Sequence, residues 1–232
     1  MENNLKKETF MTTVNIKDIN LIDTFFHFTL RENLESIQKH GLLPNIGAAS
    51  KIVNEEKPRV YMSKGGKGIL EIKNSFIHKF KGLRICDIPV EYRKYFNIKD
   101  FSSNAQATEE LIYEAMEKRF KDEIFFKVDA IEGEDFLPED AIKEIRNIKG
   151  KENHSIDAKK LTLLVSDAGP TALNIVEYLY NRLLEIAREK GVEDSVRKAC
   201  SDLDGLFQYI NKRDLKATLL NDNKSTIDGE IR

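Results

Sequence analysis

The sequence predicts an α+β domain over residues 1–150 and an all-helical extension over residues 151–232, and three observations carry that expectation. In the first part, short runs of β-branched and aromatic residues alternate with stretches whose apolar residues recur at helical spacing. From Thr171 onward only the helical period remains, and the polar, aperiodic stretch Gly150 to Ser155 separates the two regions. Of 232 residues 41% are hydrophobic and 33% charged, with 37 basic against 39 acidic side chains; this is a globular composition, not that of a disordered, collagen-like or disulfide-framed chain.

The elements follow in order. Thr24 to Phe28 is dense in aromatic and β-branched residues and reads as a short buried strand. Thr29 and Glu32 have the spacing of a capping box, Leu30, Leu34 and Ile37 recur at helical spacing, and Gly41 supplies the stop after His40. Asn45 to Pro58 is polar and reads as a loop; Arg59 to Ser63 is a strand candidate closed by the glycine-rich turn Lys64 to Gly68. That turn allows close backbone approach to a ligand, but it lacks the Gly-Lys-Ser/Thr ending of a Walker A loop. Helices are expected over Ile69 to Phe80, Val90 to Phe96 and Thr108 to Phe120, and strands over Leu83 to Ile88 and Ile124 to Val128. Phe136 to Ile145 is a Pro-initiated helical turn, followed by a last strand at Arg146 to Lys149. Beyond the boundary come helices at Thr171 to Lys190, Glu193 to Ser201 and Leu203 to Leu219, then a flexible tail from Asn221.

Several function classes find no support. No apolar run approaches the roughly 18 to 20 residues that span a bilayer, and the first ten residues lack the apolar stretch of a secretory signal, so a cytoplasmic location without membrane partners is expected. Cys86 and Cys200 have no ligand spacing beside them and are expected as buried thiols. His27, His40, His78 and His154 do not cluster as metal ligands, and no Gly-x-Ser-x-Gly nucleophile turn is present. Ser166 to Thr171 reads either as an anion-holding helix start or as a plain cap and Pro-initiated turn. Between Lys57 and Arg84 stand eight basic residues and one acid, Glu71: either a solvated face or a surface that receives phosphate.

The order of the first elements is the most informative feature. His27 and Thr29 end a strand, a helix with Leu34 and Ile37 follows, Gly41-Leu42-Leu43-Pro44 leaves it, and Val60-Tyr61-Met62-Ser63 comes after the loop. This arrangement resembles the ADP-ribosyltransferase family, in particular its small bacterial branch of DarT-like toxins and, more distantly, the RNA 2′-phosphotransferases. The likeness extends over roughly residues 24 to 149, through Glu123 to Val128 and Leu137 to Ile145.

The resemblance implies a cleft for NAD between two small split sheets, and transfer of ADP-ribose from NAD to a macromolecular acceptor, protein or nucleic acid, with release of nicotinamide. It implies that His27 bonds the adenosine-side ribose with Thr29 close by, that Tyr61 stacks on the nicotinamide and Ser63 supports the strand edge, and that Glu123 stabilises the sugar cation as the glycosidic bond breaks. The chemistry suits those roles: a carboxylate aimed at developing positive charge favours the transition state over the ground state, a flat ring suits the departing base, and Arg59, Lys64 and Lys67 suit a pyrophosphate. Each residue also has an ordinary reading, His27 and Tyr61 as strand residues, Ser63 as a helix cap and Glu123 as a solvated junction. Glu132 and Glu134, then Glu109 and Glu110, are the alternative acids. A non-catalytic nucleotide- or protein-binding module and an RNA 2′-phosphotransferase are the alternative functions, with the C-terminal helices as a surface for a protein partner.

Overall fold

A mixed five-stranded sheet organises the first of two units in the computed structural model, which describes residues 11–44, 60–129 and 155–229, with side chains to Thr218. The units interleave along the chain: the first takes residues 1–69 and 122–175, the second 70–121 and 176–232.

In the first unit, Thr13–Asn15 (β1) and Phe25–Leu30 (β2) precede Leu34–His40 (α1), and Ser63–Lys64 (β3) leads directly into Gly65–His78 (α2). Within the second unit follow Val90–Arg93 (α3) and Glu109–Lys121 (α4), before the chain returns to the sheet as Glu123–Val128 (β4) and Leu161–Val165 (β5). The sheet order is β1-β5-β4-β2-β3, parallel only between β1 and β5. Ala172–Glu189 (α5), Glu193–Ala199 (α6) and Ser201–Gly229 (α7) complete the chain.

Register decides which side chains share a face. His27 pairs with Phe126 and Leu30 with Glu123, so Phe25, His27 and Thr29 project with Ile124, Phe126 and Val128 from one face, and Phe26, Phe28 and Leu30 with Glu123 and Phe125 from the other. The first face holds a core in which Ile124, Phe126, Val128 and Leu161 pack with Ile37, Leu42 and Ile156, with Val60 and Met62 against them. Gly41 makes this packing possible: its φ is +72°, and a Cβ there would stand 2.0 Å from the Ile156 carbonyl oxygen.

The second unit is built around aromatic rings. Phe76, Phe80 and Tyr92 meet edge to face at centroid distances of 5.2–5.7 Å, Phe120 tilts against Phe76, and the buried Lys73 ammonium lies 4.9 Å from the Phe120 ring centroid. Contacts between α4 and α7 advance together along both helices: Tyr113 with Gly205, Glu114 with Tyr209, Glu117 with Arg213. They therefore run parallel. The start of α7 is tied to α2, since Asn74 Oδ1 accepts from the amides of Asp202 and Leu203 at 3.1 Å each.

Several expectations are corrected. Leu161–Val165 is a strand between β1 and β4, so residues 151–232 are not a wholly helical extension, and the described strands form one sheet rather than two split ones. The strand is a run of only five residues, Leu-Thr-Leu-Leu-Val, without a clear alternation, and it precedes a much longer helical pattern that dominates the reading. The box at Thr29 does not form, because β2 continues through Leu30 and turns by a 3-10 step, Arg31–Asn33, before α1. The glycine turn is the first turn of α2. Leu83 to Ile88 is not a strand; Ile85–Asp87 is a 3-10 turn held by a two-pronged Arg84–Asp87 bond. Cys86 is only half-buried, whereas Cys200 is buried. Helix α7 runs through Asn221 to Gly229, where a flexible tail was expected; neither proline nor glycine interrupts it from Leu206 to Asp228. The readings on Asn45 to Arg59 and on residues 130–154, the boundary at Gly150 to Ser155 included, fall outside the described residues.

Candidate functional site

His27 sits at the middle of β2, between Phe26 and Phe28, in a strand whose aromatic residues hold it in the sheet. Its Nδ1 lies 2.8 Å from the Tyr61 carbonyl oxygen. A carbonyl only accepts, so Nδ1 carries the proton and donates. Burial lowers the imidazole below its ordinary value of 6.5, and the Tyr61 bond opposes that in part. The neutral ring so favoured at pH 7 keeps a lone pair on Nε2. Tyr61 itself is 38% exposed, so its ring is open to solvent while its backbone is anchored to His27.

Thr29 is on the His27 face, two residues further along β2. Its Oγ1 accepts from Nδ2 of Asn33 at 2.8 Å. Asn33 is the residue that sequence reasoning passed over. The spacing Thr29–Glu32 draws attention to a cap, whereas strand continuation through Leu30 puts the next residue within reach instead. An i,i+4 Thr–Asn pair after a strand was the available signal.

Other expected members lie elsewhere. Glu123 is fully buried and, by register, projects from the opposite face to His27, so the two do not meet. The physical cause is parity: His27 faces Phe126, and Glu123 is an odd number of residues from it. Ser63, paired with Phe26, shares that opposite face, is buried, and donates to the Phe26 carbonyl at 3.4 Å. Lys64 pairs with Phe25 on the His27 face and has Asp23 4.0 Å away. Arg59, Glu132 and Glu134 lie outside the described residues. Glu109 is in the second unit, bonded to Lys81, with Glu110 beside it on α4.

The glycines do not cradle a ligand phosphate with their first amides. Gly65 N–H donates to the Thr24 carbonyl at 2.9 Å and Gly66 N–H to that of Leu21 at 2.7 Å; a Cβ on Gly65 would stand 2.8 Å from the Leu21 oxygen. Close approach is thus to the chain's own Leu21–Thr24 turn. Three described members of the basic run are engaged within the second unit. Lys73 is buried among rings, Arg84 holds Asp87, and Lys81 bonds Asp202 at 2.6 Å and Glu109 at 3.0 Å. Burial works against the Lys81 charge, and those two bonds outweigh it, raising the ammonium above its ordinary value. At the start of α5, Thr171 Oγ1 accepts from the Asn174 amide, a plain cap.

Among the described residues no group of three His, Cys, Asp or Glu side chains has the arrangement to hold a metal ion, and no helix is long and apolar enough to cross a membrane. No family model matches the chain, and no curated protein or solved structure matches it significantly.

Proposed function

We propose that this chain binds NAD, with the ribose held at the corner formed by His27 and Tyr61, as a nucleotide-binding protein of the ADP-ribosyltransferase type. The observation that supports the reading most is the 2.8 Å bond from His27 Nδ1 to the Tyr61 carbonyl, which joins two of the three motif segments. It orients an uncharged imidazole whose Nε2 accepts a hydrogen bond from a sugar hydroxyl, beside an exposed aromatic ring on which a base stacks. Glu123 takes no part in this reading, since its carboxylate is buried beneath the opposite face.

Calorimetric titration with NAD tests binding. His27→Ala and Tyr61→Ala are expected to weaken it about tenfold each, the scale of one buried hydrogen bond or one stacking contact. Absence of binding at millimolar NAD sinks the reading. Transfer is assayed separately, with NAD labelled in its adenylate half and a bacterial lysate as the source of acceptor. Label that survives Glu123→Gln and is lost in Glu132→Gln or Glu134→Gln would assign the acid to the segment after β4 and make the chain a transferase. The RNA 2′-phosphotransferase alternative has less support, because Lys81 and Arg84 are committed to carboxylates and His27 offers a phosphate only a lone pair.

A further inference from the structure

Asn33 stands beside the proposed site, at the end of the 3-10 turn that follows β2, and its side chain is exposed. Its Nδ2 donates to Thr29 Oγ1, so one lone pair of that oxygen is taken. A threonine hydroxyl has a single proton and two lone pairs; with the amide supplying one hydrogen bond to the oxygen, the hydroxyl proton is left to donate outward. His27 is its complement, with Nδ1–H given to Tyr61 and Nε2 left to accept. Two residues apart on one face of a strand, the two groups stand about 7 Å apart at their Cα atoms. One uncharged donor and one uncharged acceptor at that separation suit neighbouring hydroxyls of a single sugar, one accepting a hydrogen bond and the other donating one.

We propose that Asn33 is a positioning residue, which orients the Thr29 hydroxyl as a donor to a sugar hydroxyl of the bound nucleotide. This rests on the NAD reading above. Asn33 touches the ligand only through Thr29, so its effect must vanish when the Thr29 hydroxyl is absent. A structural role for the same bond, closing the turn between β2 and α1, would couple the two residues in melting temperature, whereas a positioning role couples them in NAD affinity with the melting temperatures unchanged.

The experiment is a double-mutant cycle on NAD affinity, measured by calorimetry with the full chain. Asn33→Ala and Thr29→Val are each expected to weaken binding about five- to tenfold, and the double variant to bind no more weakly than Thr29→Val alone. Thr29→Ser, which keeps the hydroxyl, should keep the dependence on Asn33. Losses that multiply in the double variant, or an Asn33→Ala chain that binds like wild type, overturn the proposal. So does a loss of affinity that comes only with a lowered melting temperature in Asn33→Ala and Thr29→Val alike, which is the signature of a turn-closing role. A wild-type chain that does not bind NAD overturns the functional reading and this inference with it. Wild-type binding with uncoupled variants overturns this inference alone.

Discussion

His27 and Glu123 illustrate how far residue type and residue position can diverge. Both are polar residues at strand positions that a dinucleotide site could use, yet only His27 is on the face where Thr29 and the Tyr61 carbonyl lie. Because burial depresses the His27 imidazole below 6.5, the folded chain binds fewer protons than the unfolded one as pH falls through 6.5 toward the lowered value. Its contribution to stability is therefore complete above about pH 6.5 and declines below it. NAD affinity should follow the same window, level from pH 8 to 6.5 and falling only under that, as calorimetry across pH would record; a fall already under way at pH 7.5 would contradict a neutral acceptor. Glu123→Gln should leave NAD affinity unchanged in the same titration, since no ligand on the His27 face reaches it. A motif made His27 and Tyr61 legible in the sequence. The facing of Glu123 was not legible, because it depends on a pairing register between strands nearly a hundred residues apart.

The elements show the same division. Amphipathic spacing located α4 and α5 within a residue or two, since a helix buries one stripe of its own sequence whatever the partner. Local spacing could not show that Gly205, inside α7, lies against Tyr113: a Cβ there would stand 2.2 Å from the phenol oxygen and 2.8 Å from the ring carbon bearing it. Gly205→Ala improves helix propensity by about 1 kcal/mol, yet should destabilise the chain by about 1–3 kcal/mol through overpacking against a buried ring, read as a lowered melting temperature. Glu117, also on α4, is buried, which works to raise its carboxyl, but bonds from Arg213 and Lys121 prevail and hold it below the usual range. A depressed carboxylate stabilises the fold above its unfolded value near 4.5 and loses that contribution as pH falls through the lowered one. Glu117→Gln should accordingly cost about 1–2 kcal/mol at pH 7, a modest figure because Arg213 and Lys121 are largely exposed, and should flatten the acid side of the stability profile in melts from pH 6 to 3.

At the scale of the whole molecule, the chain passes between its two units at Ile69/Leu70, Lys121/Asp122 and Ile175/Val176. A fragment of residues 1–150 therefore lacks β5, the strand that joins β1 to β4, and leaves Leu161 and Ile156 missing from the first core. It should fail to fold, giving neither a cooperative melt nor NAD binding; a soluble, cooperatively melting 1–150 fragment would contradict the sheet order. By itself the sequence determined the mixed α and β character, the main helices and the pairing of a strand histidine with a later Tyr-containing segment as one candidate site. The first two follow from local periodicity and glycine placement, which act over a few residues, and the third from what the resemblance of the motif segments implies. The tertiary structure alone decided that one sheet pairs β1 with the distant β5, that Glu123 faces away from His27, and that Lys73, Lys81 and Arg84 are spent on internal carboxylates and rings. Those outcomes depend on which distant segments compete successfully for the same backbone hydrogen bonds and the same buried space, and no short window of residues carries that information.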